Sequence, residues 1–164
     1  MKDIMLIAGA FVLVTMLFLH IRRRNRVAIA NTINACRYLN GVKTLTADAA
    51  IARHQVVKTG AAETSVALGT TAAKPIGIVR GAWDSGDAAA VHLFGAAQGT
   101  EIGIADAAIA VDVRLTPGTT SGRLRTMPAG AGTYWICGNA LTAAAAAGDE
   151  FEFVPCTPYA VIVP

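Results

Sequence analysis

"ADAAIARHQVVKTG" occupies residues 47–60, and "ADAAIAVDVRLTPG" occupies residues 105–118. The opening hexamer is identical, and both stretches reach a glycine at the same offset. Two readings are open. An alanine-rich chain repeats six letters by chance, or one turn-plus-strand unit is used twice. In the second reading Asp48 and Asp106 bend the chain, and Ile51 and Ile109 point into a core.

The surrounding sequence has the texture of a β protein. From Lys43 onward, apolar runs of four to eight residues recur every ten to fifteen residues, with Gly, Pro, Asp and Thr between them. "IGIVRG", "AAVHLFG", "TYWICG" and "YAVIVP" are examples. Short strands separated by turn signals describe a small sandwich or barrel, not alternating βα units. "DEFEFVP", residues 149–155, is the clearest strand. Phe151 and Phe153 fall on one face and Glu150 and Glu152 on the other, as a period of two requires. Pro155 and Pro164 suit strand ends or an edge. Residues 139–148, "NALTAAAAAG", fit a short helix capped by Asn139 or an extended strand and turn.

Of 164 residues, 54% are hydrophobic, 6% aromatic and 15% charged. Ordinary soluble domains carry roughly 25% charged residues. Alanine and glycine supply much of the apolar fraction, so the core buries little area per residue and association would add stability. The charge is uneven. Residues 1–40 carry Lys2, Arg22, Arg23, Arg24, Arg26 and Arg37 against Asp3, while residues 41–164 carry eight bases against ten acids. A mildly acidic body without a basic, aromatic-studded stripe argues against nucleic-acid binding.

The chain divides into a hydrophobic helix with a basic flank (1–26), an extended arm or linker (27–42) and a β-rich body (43–164). Residues 4–19 are uncharged and would form a helix of about 24 Å at 1.5 Å per residue. Four arginines follow at once, which is unlike the short, uncharged cleavage region of a signal peptide. Residues 4–21 therefore read either as a membrane contact, with the basic flank and the β body on the cytoplasmic side, or as a helix buried in protein.

Chemistry is sparse. The serines are Ser65, Ser85 and Ser121, none in a nucleophile-elbow context. His54 and His92 lie in strand-like runs, where a partner-facing role fits better than a base. Asp84 with Asp87, and Asp149 with Glu150, sit beside glycines where acids favour turns. Two acids are too few for a calcium loop. Cys36, Cys137 and Cys156 have neither disulfide-framework nor zinc spacing. No phosphate loop or dinucleotide fingerprint occurs. The sequence calls for no catalytic residue, cofactor or metal. Trp83 and Trp135 are anchors of a core or of a subunit contact.

"TADAAIA", the "VVK" strand, "PIGIV" at 75–79, "VHLFGAAQGT" and the closing "AAAAAGDEFEFVP" together resemble the capsid decoration, or cement, proteins of tailed bacteriophages, broadly of the lambda head-decoration type. The resemblance spans roughly residues 43–164 and rests on small residues and strands. It implies a β-rich domain without an active site, a homotrimer on the virion that clamps the major capsid protein, and assembly in the host cytoplasm. An ordered arm, with Arg37 and Tyr38 as contact residues, would fit that role. The hydrophobic segment departs from the family pattern. A different class stays open: a membrane-anchored protein whose small cytoplasmic β-domain binds or scaffolds.

Overall fold

The computed structural model describes residues 41–96 and 99–164. The hydrophobic segment, its flank Arg22, Arg23, Arg24 and Arg26, and the arm residues Arg37 and Tyr38 lie outside the described residues. The described part is all strand and turn, as the short apolar runs predict.

Ten strands form two five-stranded units. The first contains β1 (Val42–Ala47), β2 (Val56–Thr59), β3 (Ser65–Leu68), β4 (Pro75–Val79) and β5 (Ala88–Leu93). They close into a barrel in the order β1-β3-β2-β4-β5, with β5 pairing back onto β1. Every pairing is antiparallel except β1 with β3, where Ala47 lies opposite Val66. The second contains β6 (Glu101–Ile104), β7 (Arg114–Pro117), β8 (Leu124–Thr126), β9 (Gly132–Ala140) and β10 (Glu150–Val163), in the order β6-β10-β9-β7-β8. A parallel bridge between Ala105 and Leu124 brings β8 back to the end of β6. The cyclic order of the first unit is thereby repeated.

The repetition reaches individual hydrogen bonds. Asp48 Oδ2 accepts from the Ala61 amide at 2.8 Å, and Asp106 Oδ2 accepts from the Thr119 amide at 2.7 Å. The Gly86 amide donates to Ala47, and the Gly148 amide to Ala105, both at 2.8 Å. His54 and Asp112, each seven residues after its alanine, both have φ of 63°, a left-handed conformation that His and Asp adopt more readily than most side chains. Ile51 and Ile109 are both 2% exposed. The shared hexamer is therefore one structural unit used twice. Residues 139–148 take the extended alternative: β9 ends at Ala140, and Ala144 bridges Ile109.

Two cores result. Leu45, Ala47, Ile51, Val57, Val66, Val79, Ala89 and Val91 fill the first barrel. Phe151, Phe153, Leu115, Leu124 and Cys137 fill the second unit, joined there by Val56, Ile78 and Phe94 from the first. Adjacent residues on a strand point to opposite faces. Val57 and Val79 thus enter their own barrel while Val56 and Ile78 enter the core shared with the other. This is why "VV" and "IV" are apolar at consecutive positions. Phe94 meets Phe153 edge-on, with centroids 6.1 Å apart.

One expectation holds in its second form and one needs correction. Pro155 lies within β10, but where β10 is paired on one side only, an edge position next to a shift in register between Pro155 and Tyr159. His54 occupies the turn before β2, not the strand itself.

Candidate interaction surface

Trp83 is half-buried against the first core, and its backbone pairs with Ile51 in both directions at 2.8 and 2.9 Å. Its ring lies 3.4 Å from the point a side chain at Gly81 would occupy, and its buried Nε1 has no partner among the described residues. The neighbouring Asp87 carboxylate accepts from the Asp84 amide at 3.1 Å, closing a turn as sequence context suggests. Trp83, Asp84, Asp87, Ile51, Leu68 and Gln55 border an open hollow of about 470 Å³. Trp83 is thus primarily a core anchor. Trp135 sits elsewhere, half-buried on β9, with Lys74 Nζ 5.7 Å from its ring centroid. The two tryptophans form no common site.

His54 and His92 join the two units. Arg80 donates two hydrogen bonds to Glu101, at 2.9 and 2.8 Å, and His92 Nδ1 lies 3.4 Å from the same carboxylate. Arg53 and His54 meet Glu150 in the same way, at 3.2 and 3.0 Å. In both clusters an arginine and a histidine of the first barrel face a glutamate of the second unit. Burial depresses the His92 pKa, the nearby Arg80 charge adds to this, and Glu101 opposes both. Hydrogen bonds from Arg53 and His54 hold Glu150 below the usual carboxylate range. Each cluster ties an arginine and a histidine of one barrel to a carboxylate of the other and so serves as a clasp between barrels.

The remaining reactive groups are muted. Cys137 and Cys156 are free thiols. Burial pushes the fully enclosed Cys137 thiol far up, and partial burial raises Cys156. Among the described residues no group of three His, Cys, Asp or Glu side chains is placed to hold a metal ion.

The surface that stands out is a ribbon. Beyond Phe153, β10 pairs only with β9 among the described strands, and before Gly138, β9 pairs only with β10. Tyr159 to Val163 run antiparallel to Ile136 to Gly132, residue against residue. Residues 132–138 and 153–164 include no Asp, Glu, Lys, Arg or His. Ile162 is 78% exposed, Tyr159 46% and Val154 44%. An open hollow of about 170 Å³ lies at the register shift, lined by Ile136, Gly138, Val154, Pro155, Cys156 and Tyr159. The strands "TYWICG" and "YAVIVP" are legible in sequence. Their continuation beyond the barrel is signalled only by the loss of all charge.

No family model matches the chain, and no curated protein matches it in sequence. Among solved structures, the N base of head fiber gp8.5 in bacteriophage phi29 is similar, with a TM-score of 0.57 and 17% identity. The match covers 71% of this chain and 93% of that one. At that identity the likeness is one of fold.

Proposed function

We propose that this chain is a structural, non-enzymatic protein of a bacteriophage head. It decorates or cements the capsid shell through contacts with the major capsid protein and with copies of itself, as a homotrimer. The observation that carries this reading is the fold shared with the base of a phage head fiber. It agrees with the decoration-type pattern in residues 43–164. A chain whose His54, His92 and buried Glu101 are spent on internal clasps, and whose most exposed large apolar residue, Ile162, lies on a charge-free ribbon, suits repeated contact with a lattice. Weak contacts repeated over a symmetric shell become strong through effective concentration.

The test is fractionation of the native full-length protein from phage-producing cells on a density gradient, with immunogold labelling of the particles. Co-sedimentation with lipid-free, head-sized particles and gold on their outer surface is the expected result. Flotation with vesicles, or recovery only as free protein, would overturn the reading.

A further inference from the structure

We infer that the face of the second unit formed by Val111, Leu141 and Val154 receives the first barrel of another copy, at Ala88 and Glu63. The contact continues between chains the stacking that joins the two barrels within one chain. The inference rests on the structural reading above and deepens it, by naming the surfaces through which copies meet.

The internal repeat supplies the argument, because strand pairing matches positions in the two units. Val56 lies opposite Ile78, and Ile78 opposite His92. In the same way Arg114 lies opposite Asn139, and Asn139 opposite Val154. Val154 therefore stands where the first barrel has His92. Counting along the chain from these pairs, Val111 matches Arg53 and Leu141 matches Arg80. Thr46 pairs with Ala88 as Ile104 pairs with Glu150, so Ala88 matches Glu150.

The contact between barrels is head-to-tail. The first barrel docks through Arg53, Arg80 and His92 around Val56 and Ile78, and the second unit receives them with Glu101, Glu150 and its phenylalanines. A two-fold contact would use matching positions on both sides, and these positions do not match. One docking face is thus left over on the second unit, and one receiving face on the first barrel. On the leftover docking face Val111 is 55% exposed, Val154 44% and Leu141 43%. They are three of the five exposed large apolar residues among the described residues. Each stands where the first barrel touches its neighbour.

Differences between the halves identify the occupant as a second copy, because they change on both sides together. Arg53 gives way to Val111 where its partner Glu150 gives way to Ala88, an apolar pair in place of a charged one. Val56 and Ile78, which complete the neighbouring core, give way to the exposed Arg114 and Asn139. An incoming first barrel needs no such plug, since its own Leu45 and Val91 are only 3% and 0% exposed. The Val56 amide donates to the Gly122 carbonyl at 2.8 Å. Leu124 meets Ala105 as Val66 meets Ala47, so Gly122 matches Thr64. Arg114 would then meet Thr64 and the adjoining Glu63. Arg114 and Glu63 are both exposed, and neither has an ion pair among the described residues. Between copies they meet as opposite charges.

The experiment reverses and then restores this charge pair in the full-length protein. One non-ionic detergent is used throughout, so that residues 4–21 contribute equally. Light scattering gives the mass, and the parent is expected to hold several 16.9 kDa chains. Glu63→Arg and Arg114→Glu should each associate at least about tenfold more weakly, since like charges then face each other. The double variant should regain the parent mass. Unchanged circular dichroism melting separates lost association from lost fold. In a second arm, Val111→Cys protein is mixed with Ala88→Cys protein and a short bismaleimide. Peptide mass spectrometry should find the two introduced thiols linked to each other, and no link between two Val111→Cys chains. A monomeric parent, single variants that keep the parent mass, a double variant that stays dissociated, or a link between two Val111→Cys chains overturns the inference. A monomeric parent that still co-sediments with heads would remove this contact and leave the head-protein reading standing. A rescued oligomer that ignores heads would do the reverse.

Discussion

The Arg80 guanidinium reaches from the first barrel to grip both oxygens of Glu101 in the second, at 2.9 and 2.8 Å. Glu101 is 3% exposed while Arg80 remains half in solvent. The hydrogen bonds to Glu101 are also what raises the Arg80 pKa most. The two ends of this bond are therefore unequal. Arg80→Met leaves a buried carboxylate without its principal counter-charge and is expected to cost about 3 kcal/mol, near the lower end for a broken buried pair. Glu101→Gln leaves a guanidinium that water can still reach and should cost only about 1–2 kcal/mol. Urea unfolding of both variants checks the order; equal losses would refute it.

His92 gives the clasp a pH dependence. Its folded-state pKa lies below 6.5, chiefly because burial disfavours the charged ring, with Arg80 adding to this and Glu101 opposing. The unfolded chain then binds more protons between the two values, so stability rises with pH there. The contribution is complete above about pH 6.5 and is lost as pH falls through the depressed value. His92→Gln should flatten the stability profile on the acid side of about pH 6.5, as followed by thermal melts at successively lower pH.

The repeated aspartates should differ in weight. Asp106 accepts from the Thr119 amide and hydroxyl, both at 2.7 Å, and from the Thr120 amide at 3.2 Å, whereas among the described residues the Asp48 carboxylate accepts from the Ala61 amide only. Burial pushes Asp106 upward, but these hydrogen bonds together outweigh it and hold its pKa below 3.8. Asp106→Ala is expected to cost about 2 kcal/mol and Asp48→Ala about 1. Acid unfolding should show the Asp106 share persisting until pH falls through its lowered value.

Gly77 and Gly138 are matched sites of close backbone approach. A side chain at Gly77 would stand 2.2 Å from the His92 carbonyl oxygen, and one at Gly138 would stand 2.4 Å from that of Val154. Backbone cannot swing aside as a flexible side chain can. Gly77→Ala and Gly138→Ala should each destabilise by about 2–3 kcal/mol or more. Little change in melting temperature would contradict the close approach.

Strand identity was legible where one face is buried and the other wet, as in "EFEF", because the period of two is then visible in the letters. The doubled architecture was half legible. The shared hexamer pointed to it, but "VVKTG" and "VRLTPG" share little beyond a final glycine, since each half packs different neighbours. The partners of His54 and His92 were beyond reach. His54 and Glu150 are 96 residues apart, and only the packing of one barrel on the other brings them together. Trp83 and Trp135 drew notice by size, which does not tell a core anchor from a ribbon residue. Ile162 drew none, because an isoleucine in "YAVIVP" reads as ordinary strand core.

All five strands of the first barrel lie in one uninterrupted stretch, residues 42–93. During synthesis from the N-terminus this barrel has every strand it needs before β6 has left the ribosome. It can close on local pairings, and its parallel seam joins residues only 19 apart, Ala47 and Val66. Its outward residues Val56 and Ile78 then wait, uncovered, for a second half that carries the same hexamer and the same strand order. Until that half arrives, the nascent surface is also open to the corresponding half of a neighbouring chain. Protein made on crowded polysomes therefore faces a kinetic choice between folding onto itself and exchanging halves, and synthesis speed across residues 94–163, through the strand that carries Phe151 and Phe153, sets how long that choice stays open.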